Sequence, residues 1–172
     1  MTVVRRTRKG GFTLVEILIV VIILGILAAI VIPQFTSASQ DARRNSLTSQ
    51  LQTLRSQLEL YKLQHLDALP TDLVGSAPAW TQLTNKTNDR GTTGTGSDYP
   101  FGPYLQADPK NPLNGSSTVK VIAADPATPN AASTATAEGF LINSANGKIW
   151  GTSAKFTRVY DETNPSNTTN DQ

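Results

Sequence analysis

The sequence predicts an α+β fold, a long N-terminal helix followed by a small, loop-rich body built on short antiparallel strands. Three observations predict it. Phe12 to Ile32 is a run of 21 residues in which only Thr13, Glu16 and Gly25 are not apolar. Leu47, Leu51, Leu54, Leu58 and Tyr61 then recur at spacings of 4, 3, 4 and 3, one stripe of a helix. From Pro70 onward the helical signals stop, and short alternating segments follow between clusters of Pro, Gly and Asn.

Composition narrows the function. Apolar residues make up 38% of the 172. Outside the 12–32 run their share falls to about 31%, below the usual globular level and enough for one modest core rather than a large enzyme fold. The net charge of +2 and pI of about 9.0 invite a nucleic-acid reading. Arg5, Arg6, Arg8 and Lys9 carry that excess; the rest of the chain has a balance of about −2 and no basic patch, so no nucleic-acid partner is expected. The absence of cysteine excludes disulfides and thiolate chemistry, and a single histidine, His65, leaves little for a catalytic triad.

Taken in order, residues 1–11 form a basic leader and residues 12–32 an apolar helix. At about 1.5 Å per residue the run measures about 31 Å, the thickness of a hydrocarbon core. The positive cluster before it predicts a cytoplasmic N-terminus and a body on the far side of the membrane. A secretory signal peptide fits less well: the run is too long, Glu16 interrupts it, and Pro33-Gln34-Phe35 follows in place of a small-residue cleavage site.

Residues 33–69 continue the helix in amphipathic form, with Ala38 and Ala42 extending the stripe backwards. Pro33 predicts a kink or loosened turn where the helices join. The whole element then spans about 55 residues, or about 80 Å. The stripe needs a partner surface, either the protein's own strands or, with few heptads available, a coiled coil with another chain.

Residues 70–160 form the loop-rich head. Asn85–Asp98 reads as a flexible loop and Thr118–Ala123 as a strand. Phe140–Ile142 and Lys148–Trp150 flank an Asn146-Gly147 turn and make a hairpin, and Lys155–Tyr160 is the last strand candidate. Residues 161–172 are expected to be disordered. His65 reads as a surface or packing histidine rather than a ligand, and Trp80 and Trp150 as core or rim packing.

Function concentrates at Lys9-Gly10-Gly11-Phe12-Thr13-Leu14-Val15-Glu16. Two glycines ahead of a helix leave an extended, protease-accessible backbone. Glu16 puts a carboxylate inside a membrane segment, which marks a functional residue by default. Thr13-x-x-Glu16 is also a capping box, and capping alone is the competing reading of this acid. A cut after Gly11 would make the amine of Phe12 a cation, which a neighbouring subunit's Glu16 could pair with inside an apolar bundle.

This N-terminal segment resembles that of type IV pilins and type II secretion pseudopilins. The resemblance implies a pilin-like fold, cleavage by a prepilin peptidase between Gly11 and Phe12, N-methylation of Phe12, and use of Glu16 to register subunits during assembly. Gly25 and Pro33 stand where the family has residues that loosen the helix. In the head, Gly102-Pro103-Tyr104-Leu105 and Asp108-Pro109-Lys110-Asn111-Pro112 resemble the G-type major pseudopilins, although Pro112-Leu113-Asn114-Gly115 departs from that family's Pro-Trp-Gly-Asn.

The resemblance implies a structural subunit, not an enzyme, that polymerises with itself into a pseudopilus driving protein export. Its partners would be the peptidase, minor pseudopilins and an inner-membrane assembly platform. It would sit in the bacterial inner membrane as a single-pass protein with a periplasmic head. A type IV pilus subunit for adhesion, motility or DNA uptake shares every N-terminal feature. A membrane-anchored binding module that never polymerises is the alternative from another class. No cofactor is required. Some G-type pseudopilins hold calcium in a late loop, for which Asp98, Asp108 and Asp125 are the weak candidates here; no EF-hand spacing joins them, and solvated loop aspartates are the better reading.

Overall fold

The computed structural model describes residues 11–128, 130–165, 167 and 170, so most of the expected leader lies outside it. The apolar run and the leucine stripe join into one helix, α1 (Leu14–Gln64). The chain divides after Gln40 into two units.

In the first unit every residue from Gly11 to Gln40 is exposed. Pro33 lies inside α1 without ending it. Its ring takes away the donor that would reach the Ala29 carbonyl. The hydroxyls of Thr36 and Ser37 donate back to the carbonyls of Ile32 (3.2 Å) and Pro33 (2.9 Å).

In the second unit the predicted stripe is the core. Leu47, Leu51, Leu54, Leu58 and Tyr61 are buried, and they pack in one cluster with Trp80, Val119, Phe140, Ile142, Ile149 and Tyr160. Ala38 and Ala42 do not extend the stripe: both are exposed, and Arg44 is the buried residue at that end. α1 also stops short of Leu69. Leu66 and Asp67 adopt left-handed conformations (φ 56° and 65°), and the Asp67 amide donates to the Lys62 carbonyl at 2.8 Å, the closure of a left-handed helix end.

A second short helix, α2 (Thr81–Thr84), precedes three strands, β1 (Val119–Ile122), β2 (Phe140–Asn143) and β3 (Ile149–Gly151), in the order β1-β2-β3. β2 and β3 form the predicted hairpin, with Gly147 at φ 73° in the turn. The sheet is mixed, not antiparallel: β1 runs parallel to β2, with Val119 opposite Phe140. Residues 123–139 between them are long enough to carry the chain back to the same end of the sheet. β2 is buried along its length; Phe140 and Ile142 face α1, while Leu141 joins Ala135 and Val159 on the other face. At Gly151 an added Cβ would stand 3.0 Å from a Leu47 methyl, so α1 and β3 approach closely there and a larger residue would require Leu47 to give way by a few tenths of an ångström.

One further expectation is corrected, and two segments read as flexible or disordered carry defined contacts. Lys155–Tyr160 is not a strand, because Phe156 turns the chain at φ 62°; only isolated bridges form, Thr152 to Val159 and Ala132 to Arg158. The Thr/Gly-rich loop is held by bridges from Thr87 to Thr93 and Phe101, and Asn88 Oδ1 accepts the amides of Arg90 and Thr92. In the expected tail, Asp161 and Asn170 are buried, the Asp161 amide donates to Asn170 Oδ1 (2.9 Å), and Glu162 pairs with Arg55 on α1.

Candidate functional site

Gly11, Phe12 and Thr13 precede the first helical residue, Leu14. Among the described residues nothing lies within 4 Å of where a Gly11 side chain would begin, and Phe12 is 86% exposed. Thr13 and Glu16 form the capping box in both directions. The Thr13 amide and hydroxyl donate to Glu16 Oε2 at 2.8 and 2.7 Å, and the Glu16 amide donates to Thr13 Oγ1 at 3.2 Å. All the charge-assisted bonds fall on Oε2; among the described residues, Oε1 accepts none.

From Leu14 to Ile32 the helix is apolar all round and its large side chains are exposed. It is the one helix among the described residues long and apolar enough to cross a membrane. A surface of this kind requires lipid or other apolar helices around it. Gly25 adds no side chain to it and meets nothing nearby. Pro33 stands at its end.

The acids named as calcium candidates are not brought together. Asp98 and Asp108 are exposed on separate loops, and among the described residues no three acids or histidines are grouped to hold a metal. Asp125 is engaged by donors: the Lys148 ammonium at 2.7 Å, the Asn146 amide at 2.9 Å and the Asn143 amide. These bonds, the one from Lys148 foremost, hold its carboxyl down to about 2. A carboxylate surrounded by hydrogen-bond donors does not fit a calcium ion, which needs oxygens.

Several anchoring residues were not singled out by the sequence. Arg55 donates to both carboxylate oxygens of Glu162 and to the Ile149 carbonyl. The Tyr160 hydroxyl reaches the Arg44 carbonyl at 2.8 Å. Asn111 is fully buried, its amide bridging the carbonyls of Gly139 and Thr152; its place between Lys110 and Pro112 in the pseudopilin-like segment was the available clue. His65 is a packing residue, stacked on Tyr61 with both ring nitrogens bonded, to the Tyr61 carbonyl and to Thr87 Oγ1. Burial, with the Asp72 carboxylate adding to it, pushes the Tyr61 phenol up to about 12.

Residues 6–32 match the prokaryotic N-terminal methylation motif, a span that contains Gly11, Phe12, Glu16 and Gly25. The type II secretion system core protein G of Klebsiella michiganensis is 32% identical over 111 residues, covering 64% of this chain and 72% of that protein. The Klebsiella pneumoniae core protein G is 32% identical over 105 residues, covering 61% of this chain and 69% of that protein. The chain belongs to the type II secretion system core protein G family. It is equally similar to the Dickeya chrysanthemi core protein G, 32% over 105 residues, but spans only 63% of that relative's length and 61% of its own. No solved structure matches the chain. Core protein G membership joins the capped, exposed apolar helix and the three-stranded head in one family context.

Proposed function

We propose that the chain is a structural subunit of a type II secretion pseudopilus, a major-pseudopilin-like protein that polymerises through the apolar half of α1 to drive protein export. One observation carries the reading: in a core protein G relative, the Leu14–Ile32 stretch of α1 is apolar on every side but for a single carboxylate, Glu16, with Oε1 left without a donor among the described residues.

In this reading a prepilin peptidase hydrolyses the Gly11–Phe12 peptide bond at the cytoplasmic face, and the freed Phe12 amine is methylated. Until assembly, residues 12–32 anchor the chain in the inner membrane with its head in the periplasm. In the filament these helices bundle, and each Glu16 meets the Phe12 amine of a neighbouring subunit. A misregistered subunit leaves that carboxylate unpaired in an apolar bundle, which is costly, so charge pairing sets the axial step. Gly25 and Pro33 let the helix yield during packing. Leaving lipid without a partner helix would expose apolar surface to water, at about 25 cal/mol per Å², so extraction must be coupled to docking on the growing filament. An inner-membrane platform drives that step and minor pseudopilins start it. The chain itself performs no catalysis.

The test is intact mass and N-terminal analysis of protein extracted from membranes of a secreting cell. The reading requires a chain that begins at N-methylated Phe12. A chain that keeps residues 1–11, or begins at an unmethylated residue, removes it.

A further inference from the structure

The start of the crossover between β1 and β2 meets the β2–β3 turn at one corner of the sheet. Asp125 is the contact. Its Oδ1 accepts the side-chain amides of Asn143 and Asn146, and its Oδ2 accepts the Lys148 ammonium at 2.7 Å. Asn143 is only 3% exposed, so one of the three donors is a fixed point in the fold, while Asn146 and Lys148 reach the carboxylate from the exposed turn.

Five further oxygens at this corner already receive hydrogen bonds. Asn143 Oδ1 accepts the Ala145 amide (2.8 Å), and Asn146 Oδ1 accepts the Lys148 amide (2.9 Å). The Asn143 carbonyl accepts the Gly147 amide (2.8 Å), the Lys148 carbonyl the Asn143 amide (2.9 Å), and the Ile122 carbonyl the Ser144 amide (3.1 Å). A calcium ion needs six to eight oxygens turned inward. Here the side chains around Asp125 turn N–H groups inward, and one ammonium balances one carboxylate.

We propose that the Lys148 ammonium is a built-in counter-ion that closes the 123–139 crossover onto the β2–β3 turn, so that this corner of the head holds its fold without a divalent metal. This departs from the calcium that some G-type pseudopilins hold in a late loop. It does not depend on whether the chain polymerises.

The experiment uses the full processed chain, purified from membranes in detergent. Thermal unfolding is followed by circular dichroism in excess EDTA and in millimolar calcium, and amide exchange by mass spectrometry. The wild-type midpoint should be the same in both solutions. Lys148→Ala should speed exchange by about twofold or more over 123–128 and 143–148, while the buried stripe of α1 keeps its protection. A wild-type midpoint that falls in EDTA or rises with calcium overturns the proposal, as does an exchange pattern that Lys148→Ala leaves unchanged.

Discussion

Arg55 and Glu162 form a two-pronged ion pair, with 2.7 Å from Nη1 to Oε2 and 2.6 Å from Nη2 to Oε1, between residues 107 positions apart. The same Nη2 also donates to the Ile149 carbonyl. One side chain thus ties α1, β3 and the C-terminal segment together. Planar bidentate pairing is what guanidinium geometry favours.

Glu162→Gln should therefore loosen the C-terminal segment first. We expect a loss of about 1 kcal/mol, because both side chains keep partial access to water. Limited proteolysis should cut after Asp161 earlier than in the wild type, while the α1 core stays resistant. Equal cleavage rates would mean that the pair does not hold the segment.

Thr13 and Glu16 can be separated by mutation. Thr13→Ala removes the hydroxyl half of the capping box and should cost about 0.5–2 kcal/mol of local helix stability, with filament assembly and export retained. Glu16→Ala removes the carboxylate instead and should abolish assembly. If the two variants lose export to the same degree, capping accounts for Glu16 and subunit registration does not.

The Asp125 carboxyl titrates at about 2 in the folded chain, below its ordinary value near 4. The sign follows from linkage: a depressed carboxyl stabilises the fold above its unfolded value, and the contribution disappears as pH falls from about 4 to about 2. The difference in unfolding midpoint between wild type and Asp125→Asn should be present at pH 6 and vanish toward pH 2. The Thr163 hydroxyl and the Asn164 amide likewise lower the Asp161 carboxyl, so Asp161→Asn should show the same direction.

Helix α1 offers an internal control. Leu51 is fully buried, and Leu51→Ala should cost about 2–5 kcal/mol in chemical denaturation. Leu63, one of the same residue type on the same helix, is 83% exposed, and Leu63→Ala should change stability by no more than about 0.5 kcal/mol.

What could be read from the sequence followed from local periodicity and local chemistry. The 4-3-4-3 leucine spacing states which face of α1 is buried, and Thr13-x-x-Glu16 states where the helix starts, because both signals lie within a few turns of one element. The Asn146-Gly147 turn was legible for the same reason: Gly147 needs φ 73°. The parallel pairing of β1 with β2 was not, since nothing in Val119–Ile122 distinguishes a parallel partner from an antiparallel one. The Arg55–Glu162 and Asp125–Lys148 pairs escaped because each joins distant segments whose polar composition reads as loop or tail. The end of α1 at Gln64 escaped because left-handed Leu66 and Asp67 close it without glycine.

The parallel arrangement also sets an order of events for the newborn molecule. β2 and β3 can zip together from a tight reversal, whereas β1 can join only after seventeen or so intervening residues have been gathered into an arch, an entropic toll that delays it. Val119 and Val121 should thus be the last to dock, leaving one margin of the young sheet bare while the membrane-held stem is already complete.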